Sequence, residues 1–291
     1  MDISNFLGMR YPRRRINILE VLVDEITLEE AVDSIEKWVM QRRENPNLPG
    51  KRIVTANPEY VMCAQRDREL LEHINTAAMV TPDGVGLIAA GLLFRSPFRT
   101  RVTGVELSYA LAKRSAENGM RIFLLGAAPG VAEEAADNLR KLYPGVNIVG
   151  CFAGKAGPEG DAETVLRVKE AQAEIVLVAY GQVKQDYWAV RNLDKCQAAV
   201  SIGVGGTFDF ISGRVKHAPK YIRKTGMEWA YRLYQQPWRW KRDLAMFHFA
   251  SIVIWMSFFK LRVMGGTSAV VYQFDNTGEA LQVEVPQVQT A

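Results

Sequence analysis

The side chains in this sequence whose types and settings could do chemistry are two carboxylates, a few short polar residues, a glutamine and three arginines. Asp83 stands in Thr81-Pro82-Asp83-Gly84, at the end of the short apolar run MVTPDG (79–84). A carboxylate so placed can take a proton from a hydroxyl group as a general base. The same four residues also make an ordinary turn, which Asp and Gly favour for backbone reasons. Thr55 and Asn57 close the run IVTAN (53–57), and Lys184, Gln185 and Asp186 follow EIVLVAYG (174–181). Gly203-Val204-Gly205-Gly206-Thr207-Phe208-Asp209 follows the apolar residues AVSI. Glycines there let backbone approach a nucleotide closely, and Asp209 could bind ribose hydroxyls as acidic residues do in dinucleotide folds. A glycine-rich turn with a helix cap is the plainer alternative. Gly126-Ala127-Ala128-Pro129-Gly130 also joins a strand to a helix. It reads either as a phosphate loop, with backbone N–H groups facing an anion, or as a plain βα turn; it is not GxGxxG and has no P-loop lysine. Arg232, Arg239 and Arg242 form the last group. Their planar guanidinium groups suit diphosphate oxygens; a solvated basic face or contact with anionic lipid is the alternative.

Elements must bring these residues together. INILEVLV (16–23) reads as one strand, and Thr27 with Glu30 three residues later is a capping box ahead of a helix. IVTAN (53–57) is a strand, a helix over roughly 58–75 follows, and MVTPDG is another strand. RIFLLG (121–126), VNIVG (146–150), EIVLVAYG and AVSIGVGG (199–206) are strands separated by helical stretches at 127–144 and 184–193. Near-continuous apolar strands alternating with helices predict an α/β fold: a Rossmann-like, mostly parallel sheet covered by helices. Ligands of such sheets sit beyond the carboxyl ends of the strands, which is where Thr55, Asn57, Asp83, Gln185 and Asp209 fall. The organisation expected is a leader over 1–15, the core over 16–213, a basic and aromatic helical appendage over 214–264 interrupted by Pro219 and Pro237, and a polar tail over 265–291. The tail carries two short β-like pieces, VVYQF and LQVEV, and is expected to be disordered or a weak hairpin.

Composition sets the class. The chain has 291 residues, 48% hydrophobic and 23% charged, which is globular and sufficient for a core without disulfide or metal staples. Cys63, Cys151 and Cys196 have no paired spacing and point to a reducing compartment. His73, His217 and His248 lie far apart and argue for no metal site. The N-terminal region shows no apolar run ahead of a cleavage site, so no signal peptide is expected. Residues 213–242 hold nine Lys or Arg against Glu228 alone, a block suited to phosphates, anionic lipid or nucleic acid. Leu244 to Phe259 then runs for 16 residues without Lys, Arg, Asp or Glu, flanked by Lys241 and Arg242 on one side and Lys260 and Arg262 on the other. That is short of the roughly 20 residues needed to span a bilayer. Basic flanks and aromatics predict a membrane-binding helix lying on an anionic leaflet; a core helix is the alternative.

At these residues the chain resembles the WecG/TagA/CpsF glycosyltransferases. The motifs run in order over roughly 16–242: TANPE (55–59), TPDGVG (81–86), RVTGVEL (101–107), FLLGAAPGVAEEAA (123–136), YP (143–144), KQDYW (184–188), IGVGGTFDFISG (202–213), HAP (217–219) and EWAYRLYQQPWRWKR (228–242). The ordered set is far more specific than any one motif. The resemblance implies inverting transfer of N-acetylmannosamine or a related hexose from a UDP-sugar donor to a polyprenyl-diphosphate-sugar acceptor, undecaprenyl-diphospho-N-acetylglucosamine being the family's known acceptor. The setting is cell-surface polysaccharide or teichoic acid synthesis. It implies Asp83 as catalytic base, Thr55, Asn57 and Thr103 on the acceptor or sugar side, Gln185 and Asp209 in the donor site, and Arg232, Arg239 and Arg242 over the diphosphate. The usual Gly-x-Pro-Lys-Gln-Glu reads Gly181-Gln182-Val183-Lys184-Gln185-Asp186 here, and the usual Arg-Ala-Pro reads His217-Ala218-Pro219; both departures touch the donor side. With no DxD pair, no cofactor or metal is expected, the arginines balancing the leaving group's charge. A membrane surface is the expected partner, at the inner face of the plasma membrane; nucleic acid is not, and a homo-oligomer is compatible with the reading. The rivals are a non-catalytic UDP-binding or membrane-scaffold protein and a nicotinamide-dependent oxidoreductase, against which the missing GxGxxG counts.

Overall fold

A computed structural model describes residues 14–216, 218, 219, 222, 228–235, 237, 240–263, 271–274 and 280–283. Most of the expected leader, His217, Arg239 and much of the tail lie outside the described residues.

Six apolar runs pair side by side, all parallel: β3 (Lys51–Ala56), β4 (Met79–Pro82), β5 (Ile122–Gly126), β6 (Ile148–Phe152), β7 (Ile175–Ala179) and β8 (Val200–Gly203), in the order β4-β3-β8-β7-β5-β6. Every residue of β5 and β7 is buried, as parallel strands covered on both faces must be. One face packs under α1 (Leu28–Glu44), α5 (Gly104–Asn118), α6 (Val131–Leu142) and α9 (Thr207–Ile211) around Ile53, Leu124, Leu177 and Ile202. The other packs under α2 (Pro58–Ala64), α3 (Arg68–Asn75), α4 (Val85–Leu93), α7 (Asp161–Glu170) and α8 (Lys184–Asn192). The capping box read at Thr27 is formed: its hydroxyl accepts from Glu30 N at 3.3 Å, and Thr27 N donates to Glu30 Oε2 at 3.0 Å.

Three expectations change. INILEVLV is two strands, β1 (Arg15–Ile18) and β2 (Val21–Asp24), paired antiparallel. The turn falls on Leu19 and Glu20, at φ 50° and 67°, without the glycine or asparagine that signals such turns; Asn17 Oδ1 accepts from Glu20 N at 2.9 Å instead. Arg15, grouped above with the leader, is buried in this hairpin, where Nε donates to Asp24 Oδ1 at 3.1 Å and Nη2 to Ala77 O at 2.8 Å. The helix expected over 58–75 is broken, because Asp67 caps a new one by accepting from Leu70 N at 3.0 Å. Of the two alternatives read for the tail the hairpin is present: β9 (Val271–Phe274) and β10 (Ala280–Val283) form it and extend the small sheet in the order β10-β9-β1-β2.

The appendage contains α10 (Glu228–Gln235) and α11 (Trp240–Val263). α11 lies along α2 and α4. Phe249, Val253 and Ser257, at four-residue spacing, are buried against the domain. No helix among the described residues is long and apolar enough to cross a membrane.

Candidate active site

Strand register brings the candidate residues to one edge. Thr55 is opposite Thr81, Ala56 opposite Pro82, Val54 and Val178 opposite Gly203, and Ala179 opposite Gly126, so these five strands end within two residues of one another. Asp83 is the residue just past β4. Its N–H donates to Ala56 O at 2.7 Å, and Val102 N donates to Pro82 O at 2.9 Å, pinning the loop before α5 across the end of β4. Gly104 N, in the first turn of α5, then donates a long hydrogen bond of 3.4 Å to Asp83 Oδ2. Helix N-termini offer such unpaired N–H groups, and this one orients the carboxylate over the rim. The same loop carries Arg101, with Nη2 4.0 Å from Glu106 Oε1. Nothing in its local motif, RVTGVEL, signals this placement; the Val102–Pro82 bond sets the loop that carries it beside Asp83.

The other short polar residues hold backbone. Thr55, 7% exposed, donates its hydroxyl to Gly203 O at 2.7 Å, tying β3 to the start of the glycine loop. Asn57 Oδ1 caps α2 by accepting from Tyr60 N at 3.0 Å. Thr103 caps α5, accepting from Glu106 N at 3.1 Å and donating to Glu106 Oε2 at 2.9 Å. Gln185 is buried; its Oε1 accepts from Gly205 N at 2.9 Å. Its amide nitrogen fills the space a Cβ at Gly203 would need, which would fall 2.4 Å away. The glycine at 203 is thus required for the glutamine to reach the loop. On the other side the loop abuts Gly104, where a Cβ would lie 3.2 Å from Val204 O.

Between β5 and β7 the connections run to opposite sides of the sheet, β5 to β6 and β7 to β8, a switch point where open α/β sheets place ligands. Gly126, at φ 101°, has no room for a side chain, since a Cβ would sit 2.7 Å from the Ala179 carbonyl carbon. The first turn of α6 carries Glu133 and Glu134. Arg214 reaches back over it, with Nε and Nη2 each 2.7 Å from a Glu134 oxygen, and this pairing holds Glu134 below the usual carboxylate range. Asp209 is half-buried in α9, and its carbonyl accepts from Val215 N at 2.9 Å. Arg232 lies on α10 and Arg242 on α11, with their side chains outside what the structure describes; Arg239 is outside the described residues. Among the described residues no three His, Cys, Asp or Glu side chains gather as a metal site.

Two features of the donor-side loop follow from its departures. Val183 sits at φ 71° and ψ −60°, and Lys184 N donates to Gln182 O at 2.9 Å, a γ-turn of the rare, strained hand. Proline, with φ held near −65°, could not adopt it. Asp186 points away from the rim. It is 4% exposed, Oδ2 has no hydrogen-bond partner, and burial pushes its carboxyl up to about 6, opposed by Tyr60 and the Arg52 guanidinium. Burial likewise pushes the Tyr60 hydroxyl well up.

A family model described as the glycosyl transferase WecG/TagA/CpsF family matches residues 16–263. The chain belongs to this family. The match takes in the whole rim, α10 and α11, and the chain is therefore a glycosyltransferase. Three curated relatives share the name N-acetylglucosaminyldiphosphoundecaprenol N-acetyl-beta-D-mannosaminyltransferase. The one from Bacillus spizizenii is 29% identical over 82% of this chain and 90% of the relative. That from Bacillus subtilis is 30% identical over 78% and 86%. That from Staphylococcus aureus is 33% identical over 78% and 86%.

Proposed function

We propose that this glycosyltransferase moves N-acetylmannosamine, or a related hexose, from UDP to an undecaprenyl-diphosphate-linked N-acetylglucosamine, with inversion. The shared name of the three relatives supports this substrate pair. The observation that carries the mechanism is the Asp83 carboxylate on the rim, bonded by the N–H of Gly104, the residue that abuts Val204 of the glycine loop. Asp83 accepts the proton of the acceptor hydroxyl as that oxygen bonds the anomeric carbon. The bond from that carbon to UDP breaks on the opposite face, and the electron pair leaves with UDP. General bases in such roles contribute roughly 10²–10⁴-fold. Stabilising the departing charge is usually a larger contribution; Arg232, Arg239 and Arg242 take that role, in place of the metal that a DxD pair would bind. The lipid acceptor puts the reaction at a membrane surface, on the cytoplasmic side where UDP-sugars are held.

A panel of UDP-sugars offered with a short-chain lipid-diphospho-N-acetylglucosamine acceptor tests this by mass spectrometry. The expected product carries one added N-acetylhexosamine and forms in EDTA. Product from no donor would favour the non-catalytic reading, and loss on chelation reversed by Mg²⁺ or Mn²⁺ would overturn the role of the arginines.

A further inference from the structure

α4 contains no polar side chain: its sequence is VGLIAAGLL. Leu87, Ala90 and Gly91 are buried in the domain, whereas Val85, Ala89, Leu92 and Leu93 are exposed. Those four lie at i, i+4, i+7 and i+8 and form a single stripe. The stripe starts two residues past Asp83 and runs roughly 12 Å along the helix. α11, which packs beside α4, repeats the pattern. With Phe249, Val253 and Ser257 turned inward, Leu244, Phe247, Ile254, Trp255 and Phe258 face outward; Trp255 is 64% and Phe258 70% exposed.

We infer that the outward stripes of α4 and α11 form one membrane-docking face, and that α4 is the part of it that brings a lipid-borne diphosphate to Asp83. The inference rests on the polyprenyl-diphosphate acceptor proposed above. It extends the membrane contact, which the sequence places on 243–264 alone, into the catalytic domain. Charge fits the occupant. Residues 85–94 and 244–259 hold no acid; Arg95, exposed, lies two residues past α4, and Lys260 and Arg262 follow the apolar stretch of α11, as Lys241 and Arg242 precede it with Asp243. Apolar and aromatic stripes with basic borders suit the headgroup boundary of an anionic leaflet. A bilayer meeting both helices would hold the diphosphate at the first turn of α4, against Asp83.

The test uses the full chain and Leu92→Gln/Leu93→Gln, which removes apolar surface at exposed positions without adding charge; Trp255→Gln/Phe258→Gln probes the second helix. Vesicles of equal parts phosphatidylglycerol and phosphatidylcholine report binding by sedimentation. Transfer is compared between undecaprenyl-length acceptor in those vesicles and short-chain acceptor in solution. Each variant is expected to lose roughly tenfold or more in vesicle binding and in transfer to the embedded acceptor, while transfer to the short-chain acceptor stays within about twofold because Asp83 is untouched. Unchanged vesicle binding by the α4 variant overturns the proposal. So does a wild-type dimer in sedimentation equilibrium that the α4 variant converts to monomer, which would assign the face to a second copy. Should wild-type chain transfer to neither acceptor, the substrate reading fails, and sedimentation alone still decides whether α4 meets the bilayer.

Discussion

At the rim, where β3, β4 and β8 end, and in the layer beneath α8, polar side chains from neighbouring positions are treated in opposite ways. Gln185 and Asp186 are adjacent and both almost sealed from solvent. Gln185 meets a backbone N–H of the glycine loop, and Thr55 and Asp83 likewise meet backbone groups. Asp186, one residue on, turns inward among Tyr60 and Arg52 with an oxygen that bonds nothing. Thr55, Asp83 and Gln185 are matched before substrate arrives, the preorganisation that stabilising a developing charge requires, and of the rim hydroxyls Thr81 Oγ1 is the buried one without a partner. The layer under α8 is unmatched, and its carboxyl answers by holding its proton to higher pH.

The comparison can be broken most decisively at Asp83. Asp83→Asn is expected to lower turnover by roughly 10²–10⁴-fold with melting temperature and UDP affinity little changed; turnover near wild type would remove the carboxylate from the mechanism. Under α8 the expected effect is on stability. The folded chain keeps the Asp186 proton up to about 6, whereas an ordinary aspartate loses it near 3.8. Between those values the folded state binds the extra proton, so this contribution is fully present below 3.8 and is lost as pH rises through about 6. Asp186→Asn should flatten that dependence, by about 3 kcal/mol at most, in urea melts at pH 4 and pH 8. Equal pH slopes for both chains would show that Asp186 is solvated or paired.

Smaller changes sharpen the contrast. Gln185→Ala leaves Gly205 N without its partner and loosens the glycine loop; a cost of about 1–2 kcal/mol predicts roughly tenfold slower turnover with unchanged circular dichroism, and full activity would show that the loop holds itself. Val183→Gly relieves a β-branched residue at φ 71°. It should raise stability by about 1 kcal/mol or less, readable as a higher urea midpoint, whereas Val183→Pro should lower it. A neutral glycine and a tolerated proline together would mean that the turn is not strained.

Much of the fold is legible because its causes are local or periodic. Continuous apolar runs between helices require a sheet covered on both sides, and Thr-x-x-Glu at 27–30 sets a helix start through side chains three residues apart. The β1–β2 turn was not legible, since Leu19 and Glu20 have no turn signal of their own and are held there by Asn17 and by Arg15 across the hairpin. α11 was legible only in part: its apolar residues run nearly all round, and the choice of Phe249 and Val253 as the inward stripe belongs to α2 and α4.

The sequence alone determined that Asp83 stands at a strand end, that glycines follow β8, and that the ordered motifs belong to one family, because strand ends and turns are set by neighbours along the chain. Only the tertiary structure decided that Gly104 N meets Asp83, that the loop carrying Arg101 lies beside it, and that Gln185 reaches the glycine loop while Asp186 turns toward Tyr60 and Arg52. Those outcomes depend on which groups meet across 20 to 150 positions of sequence, through parallel register and helix packing, and a side chain's spacing along its own element carries no record of them.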